Sequence, residues 1–297
     1  KKSTAVRFGM GASLDAWDVL LTAMTKKGYT KSELLDAGLV VQNKNGGLYD
    51  KFRNRLMLPV IDTRGDVVAF GSRVLDKSEP KYMNSSETPV YSKRRVLYGL
   101  NLAKKSKRPN IILCEGNLDI VTLHQAGFDN AVASMGTALT VEQTRLLSRF
   151  TKELVLCYDN DNAGKIATER ALQILNGSEF SVKVLQLPRR LVDGEYIKQD
   201  ADDFIKFQGP DAFERLLNGS ENGVEFRMAQ IAGKYDLKDD EARIAYCGEV
   251  SELLASLPGA VEREIYTGRA AEAAGITAEA MKLEVQRSFK RRIAREK

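Results

Sequence analysis

Histidine is nearly absent from this sequence. Its 297 residues include one, His124, on a segment patterned as a helix. A lone imidazole cannot build a histidine metal centre, and a packing role suits it better than catalysis. Acid–base chemistry must then rest on carboxylates, a metal or the substrate. Cysteine is scarce too: Cys114, Cys157 and Cys247 stand far apart. No Cys-x-x-Cys pair exists, so no zinc is expected in this chain. Cys114 and Cys157 fall in apolar runs and read as reduced core thiols, which suits a cytoplasmic setting. No apolar run approaches a membrane span and no signal peptide is visible, so no membrane partner is expected. Repeats and low-complexity tracts are missing. The composition, 43% hydrophobic and 29% charged, is that of a globular protein.

Charge is plentiful and unevenly placed. The net charge is +5, but residues 1–110 carry 21 Lys/Arg against 10 Asp/Glu, and residues 111–223 carry 11 against 17. Residues 224–297 balance at 13 of each. A basic segment followed by an acidic one suits a polyanion held by the first and processed by metals on the second.

The pattern divides the chain into three segments and predicts an α/β fold, α+β overall. Residues 1–110 form a mixed basic subdomain. It holds a hairpin, Leu56–Ile61 and Val67–Phe70 about a turn at Asp62–Gly65, and an irregular basic stretch from Asp76 to Arg95. Residues 111–222 alternate strand and helix, which predicts a parallel sheet flanked by helices. Strands are expected at Ile111–Cys114, Ala131–Ser134, Glu153–Tyr158 and Ser181–Leu187, and helices at Leu118–Gln125, Val141–Arg149 and Gly164–Leu175. A loop is expected from Pro188 to about Gln199. Thr140 and Gln143 make a capping-box pattern. Residues 223–297 show no strand signal and predict a helical bundle, with Leu253, Leu254 and Leu257 on a core face.

Three strand ends deliver acids. Glu115-Gly116 follows one, with Asp119 four residues on. Asp159-x-Asp161-x-x-Gly164 follows another. Asp200-Ala201-Asp202-Asp203 comes after a third. Carboxylates gathered this way repel one another unless a cation holds them, and a hard, oxygen-loving ion fits best: Mg²⁺ or Mn²⁺. A calcium loop would need an oxygen ligand at its fifth position and Glu at its twelfth, where Ala163 and Arg170 stand. An aspartyl-phosphatase reading would leave Glu115 and Asp200-x-Asp202 unexplained. Helix capping accounts for one such acid but poorly for five. Asp203 suits either the site or the next helix.

Glu115-Gly116 and Asp159-x-Asp161-x-x-Gly164, each after a strand, resemble the Toprim motif of DnaG-type primases, topoisomerases and some nucleases. Further residues resemble the bacterial replicative primase family: Glu115–Asp119, Ala133-Ser134-Met135-Gly136-Thr137-Ala138-Leu139-Thr140, Asp200-Ala201-Asp202, Arg53–Val60, Phe70–Arg73 and above all Pro80-Lys81-Tyr82-Met83-Asn84-Ser85-Ser86-Glu87-Thr88-Pro89. The resemblance runs from about Phe8 to about Leu217. Family members often show Asp-Gly-Asp and Asp-Pro-Asp where this chain has Asp159-Asn160-Asp161 and Asp200-Ala201-Asp202, and the carboxylates are kept.

The resemblance implies synthesis of short RNA primers from ribonucleoside triphosphates on a single-stranded DNA template, in the cytoplasm of a bacterium at the replisome. It implies Asp159, Asp161, Asp200 and Asp202 as metal ligands. Glu115 is a ligand or the general base for the attacking 3′-hydroxyl, and Asp119 supports it. Gly116 and Gly164 shape the turns. Arg55, Arg73, Lys81, Tyr82, Asn84 and Lys93 are implied to hold template or nucleotide. Zinc-binding and helicase-binding domains flank this region in the family, and neither is recognisable here. An excised polymerase core is therefore expected, with helicase contact made through regions outside it. Rival readings are another Toprim enzyme, which as a topoisomerase would need a cleaving tyrosine that none of the 10 tyrosines stands out as, or a non-catalytic nucleic-acid-binding module.

Overall fold

The computed structural model describes residues 1–136, 138–192 and 194–295, and these divide into two compact units. Unit 1 comprises residues 1–174 and 185–219, and unit 2 residues 175–184 and 220–297. Thr137, part of the motif quoted above, lies outside the described residues.

Unit 1 begins with α1 (Lys2–Arg7), β1 (Gly11–Ala12), α2 (Val19–Lys26), α3 (Lys31–Asp36), β2 (Val40–Gln42) and β3 (Leu48–Asp50). The expected hairpin follows as β4 (Arg55–Ile61) and β5 (Val67–Val74), antiparallel with Leu58 opposite Gly71. Its turn is held by Asp62 Oδ1, which accepts from the amides of Arg64, Gly65 and Asp66. The basic stretch expected to be irregular contributes an edge strand, β6 (Tyr82–Asn84). β6 pairs with β5 so that Tyr82 faces Arg73 and Asn84 faces Gly71. The short helix α4 (Leu100–Ala103) leads to the parallel sheet.

The alternation then runs β7 (Asn110–Cys114), α5 (Asn117–Gln125), β8 (Ala131–Ala133), α6 (Val141–Leu147), β9 (Glu153–Leu156) and α7 (Asn162–Leu175). β8 and β9 pair with β7 on either side, both parallel. Ile111–Cys114 are all buried, as a strand covered on both faces must be. The capping box is present at α6, where Thr140 and Gln143 bond reciprocally. One apolar core joins both parts of the unit, including Phe8, Leu58 and Val60 with Ile112, Leu123 and Val155. His124 is buried in it, its Nε2 2.9 Å from the Ala131 carbonyl and its ring edge-on to Phe8. Packing is therefore its role. All three cysteines are buried and free.

After β10 (Ser181–Val184), the chain returns to unit 1 at Leu185, whose amide donates to Leu156. The expected loop at 188–199 instead holds two strands, β11 (Arg190–Val192) and β12 (Glu195–Ile197), paired antiparallel about Gly194 at φ 85°. Turn signals there outweighed a short run of β-formers. α8 (Ala201–Gln208) and α9 (Pro210–Asn218) close the unit.

In unit 2, β13 (Glu221–Asn222) pairs with β10. The predicted bundle follows as α10 (Gly223–Ala232), α11 (Asp240–Ala255), α12 (Ala260–Ala274) and α13 (Ala278–Arg295). Leu253, Leu254 and Leu257 lie in its core with Val250, Ala270 and Met281. Among the described residues no helix is long and apolar enough to cross a membrane.

Candidate active site

The acids stand where the strands of unit 1 end. Glu115 is the first residue past β7. Gly116 then opens α5, and its amide donates to Asp119 Oδ2 at 3.2 Å. A Cβ on Gly116 would lie 2.6 Å from that oxygen, so only glycine admits the bond. Asp119 is 7% exposed, and its second oxygen accepts from the Asp202 amide at 3.1 Å. One buried carboxylate thus ties the turn after β7 to the first turn of α8.

Past β9 the chain turns sharply. Asp161 Oδ1 accepts from the Gly164 amide at 2.8 Å and so caps α7. A Cβ on Gly164 would sit 1.9 Å from the Asp159 carbonyl oxygen, so the turn closes only over a glycine. The free oxygens of Asp159 and Asp161 meet a cation: Lys198 Nζ lies 3.1 Å from Asp159 Oδ2 and 2.8 Å from Asp161 Oδ2. Sequence gave no signal for Lys198, since it lies in a stretch that reads as loop.

The third group sits on α8. Asp200 is its N-cap, accepting from the Asp203 amide at 2.8 Å. Asp202 accepts from the Thr122 hydroxyl at 2.5 Å and from Lys206. Among the described residues, the acids whose oxygens all lie within 4.8 Å of one another are Asp200, Asp202 and Asp203. Asp203, ambiguous in sequence, belongs to this trio. Asp159 and Asp161 do not meet it at that distance, and are bridged by Lys198 instead.

Electrostatics joins the groups. Burial, then the charges of Asp200, Asp159 and Asp202, pushes Asp119 up to about 8 against an opposing bond from the Asp202 amide. Burial raises Glu115, helped by Asp159 and Asp161 and opposed by an Asp159 backbone bond and by Lys198. Asp200 is raised by burial and by Asp203, Asp202 and Asp159, against the Asp203 amide. Asp161 is held low, first by Lys198 and then by the Gly164 amide.

Three observations fit a divalent cation at these residues. Glu115 Oε1 is buried with no hydrogen-bond partner. Several carboxyls are raised partly by one another, the repulsion a cation would relieve. An ammonium, that of Lys198, already stands between the Asp159 and Asp161 carboxylates. All donors are carboxylate oxygens, the set that Mg²⁺ or Mn²⁺ takes.

The basic residues lie on the β4–β5–β6 ribbon and the segment after it. Arg55 on β4 is buried, and donates to the Pro80 carbonyl at 2.9 Å. Its Nη1 is buried without a partner. Arg73 and Lys81 flank the exposed Tyr82 ring, with cationic groups 5.9 and 5.5 Å from its centroid. Arg73 and Lys81 also line a cleft of about 510 Å³ with Lys77, Ser78 and Glu79. Asn84 sits close to Gly71 and Gly136, where added Cβ atoms would come within 3.1 and 3.4 Å of its amide. Lys93 is half-buried, its amide donating to Glu87 and its charge near Lys51. Burial raises the Tyr82 hydroxyl and Arg73 lowers it, while Asp119, Asp200 and Asp202 raise it further. The ribbon thus lies within electrostatic reach of the acids.

The family described as "DNA primase catalytic core, N-terminal domain" matches residues 1–104 and a "Toprim-like" family residues 112–205. A "DnaB-helicase binding domain of primase" matches residues 224–279. That last match corrects the expectation that no helicase-binding region is recognisable; α10–α12 carry too few distinctive residues to be identified by eye. A DNA primase of Clostridium acetobutylicum is 42% identical over 94% of this chain and 46% of its own length. The chain thus spans about half the length of the curated relatives it matches. The solved E. coli primase catalytic core is 33% identical, with a TM-score of 0.79 over 93% of this chain and 88% of that one. A DnaG primase catalytic domain solved bound to single-stranded DNA is 32% identical, with a TM-score of 0.80 over 94% and 87%.

Proposed function

This chain belongs to the DnaG-type DNA primase family, and we propose that it is a polymerising core that joins ribonucleoside triphosphates into short RNA primers on single-stranded DNA. In this reading residues 1–110 bind nucleic acid and nucleotide, residues 111–222 carry the chemistry, and residues 223–297 form a helical appendage. The observation that carries it is that acids from three separate segments are linked through buried Asp119 and lie within electrostatic reach of a basic, aromatic ribbon. The match at 224–279 supports the DnaB helicase as a partner of that appendage, and a bacterial cytoplasm as the setting.

Asp159, Asp161, Asp200 and Asp202 would hold Mg²⁺ or Mn²⁺, with Asp203 in the same cluster as Asp200 and Asp202. The chemistry a bound divalent ion supplies is charge neutralisation at the triphosphate and easier ionisation of the primer 3′-hydroxyl. Glu115 suits acceptance of that proton: its pKa is raised and its Oε1 has no other partner. Asp119 orients the site by fixing both Gly116 and Asp202. Gly164 lets α7 start against Asp159. Arg73, Lys81 and Lys93 give the ribbon positive charge for phosphates, and Tyr82 offers a face on which a base can stack. Arg55 braces the ribbon through Pro80.

The test is incorporation of labelled ribonucleotides on a single-stranded template with Mg²⁺ or Mn²⁺. The parent is expected to make short RNA, and Asp159→Asn to lose synthesis and metal binding while keeping its circular dichroism. A parent that binds template but makes no RNA under either ion would overturn the assignment.

A further inference from the structure

Lys198 is the one basic side chain seated on the Asp159–Asp161 pair in the described ion pairs. Its backbone is fixed. Lys198 directly follows β12, and β11–β12 is anchored by Arg190, whose guanidinium lies 3.6 Å from the Phe207 ring centroid. The next residue, Gln199, donates to the Pro188 carbonyl at 2.6 Å, and Asn160 donates to Leu187 at 3.0 Å. The side chain itself is 55% exposed and free to swing on its four-carbon stem.

The atoms involved decide what Lys198 does. Asp161 Oδ1 is already committed to the Gly164 amide at 2.8 Å, which caps α7. The oxygen left for a cation is Oδ2, and Lys198 holds it at 2.8 Å. Lys198 also holds Asp159 Oδ2 at 3.1 Å. A divalent ion at those two oxygens would stand where the ammonium now stands, and two cations cannot share so short a space.

We propose that Lys198 is a resident counter-cation of Asp159 and Asp161 that must leave when a divalent ion takes their oxygens, so that metal loading here is an exchange. The idea rests on the metal-site reading above. Before metal arrives, Lys198 keeps the two carboxylates converged. After it arrives, the ammonium is released toward solvent at the mouth of the site. Lys198 is thus a positioning residue that sets the metal requirement.

The experiment is Mn²⁺ binding to the whole chain without nucleotide, followed by calorimetry and by the loss of the free-ion paramagnetic signal. Lys198→Met and Lys198→Gln are expected to bind Mn²⁺ roughly three- to thirty-fold more tightly than the parent, the factor two partly exposed ion pairs are worth. Lys198→Arg, which keeps the charge, is expected to stay within about three-fold of the parent. Unchanged or weaker binding in both uncharged variants would overturn the exchange. A parent that binds no Mn²⁺ would overturn the metal site itself, whereas a parent whose binding is lost in Asp159→Asn but unmoved in Lys198→Met would sink the exchange alone.

Discussion

Gly164→Ala removes no carboxylate, yet the structure assigns it a large effect. The added Cβ would lie 1.9 Å from the Asp159 carbonyl oxygen, 2.7 Å from its carbon and 3.0 Å from its nitrogen. All three are backbone atoms, so no side chain can turn away. Restoring an ordinary separation of about 3.5 Å requires Asp159 or the first turn of α7 to move by roughly 1.5 Å. Asp161 must move with that turn, because its Oδ1 is bound to the Gly164 amide. Misplacing reacting groups by about 1 Å costs on the order of 10²-fold in rate. Overpacking of this kind costs about 1–3 kcal/mol of stability, which at this chain length is a fall in Tm of roughly 2–10 °C. Gly164→Ala is therefore expected to stay folded at 25 °C, to bind Mn²⁺ weakly and to lose at least about 10²-fold in primer synthesis. Gly248→Ala is the control: it lies inside α11 with open space around the new Cβ, and should gain about 0.5–1 kcal/mol with unchanged activity. Gly164→Ala with parental synthesis and Mn²⁺ affinity would refute the reasoning.

Metal binding is expected to release protons. With Asp119 pushed up to about 8, that carboxyl is mostly protonated at pH 7, and its proton should leave as the ion loads. Calorimetry in buffers of different ionisation enthalpy measures this, and release should fade as pH passes 9. His124 governs acid stability in the opposite sense. Burial first lowers it to about 4, so the unfolded chain takes up a proton below about pH 6.5 and the folded chain does not. Stability present above about pH 6.5 is then lost as pH falls toward 4, by roughly 2–3 kcal/mol at pH 4.5. Urea unfolding at pH 7.5 and 4.5 should show this loss in the parent and not in His124→Gln. Lys81→Ala and Arg73→Ala should weaken template binding and make its salt dependence shallower, with Mn²⁺ affinity intact. Parental binding curves in both would remove the ribbon from the interface.

The parallel sheet was legible because its strands are continuous apolar runs, as at Ile111–Cys114, and because two of them, β7 and β9, run into an acid with a glycine close behind. The hairpin β4–β5 was legible from its turn chemistry at Asp62–Gly65. Strand β6 was not: three residues carry no period, and the pairing with β5 is what makes them a strand. The β11–β12 hairpin was hidden the same way, and Lys198 with it, since a lysine in a polar stretch shows nothing of the carboxylates 37 and 39 residues away in sequence that it reaches. The acids themselves were readable as a set, but not their grouping. Sequence cannot tell that Asp161 spends one oxygen on a helix cap, nor that Asp203 joins Asp200 and Asp202. The helical appendage was readable as a bundle from its leucines, while its helicase-binding match over 224–279 was not.

The central claim is that acids from separate strand ends hold divalent metal. Its most direct measurement is the anomalous difference map of crystals soaked in Mn²⁺. The account predicts density within about 2.2 Å of carboxylate oxygens of Asp159 and Asp161, with Lys198 turned away, and of the Asp200–Asp202–Asp203 group. Well-diffracting crystals with Mn²⁺ elsewhere, or with none at these oxygens while Lys198 keeps its place, would contradict it.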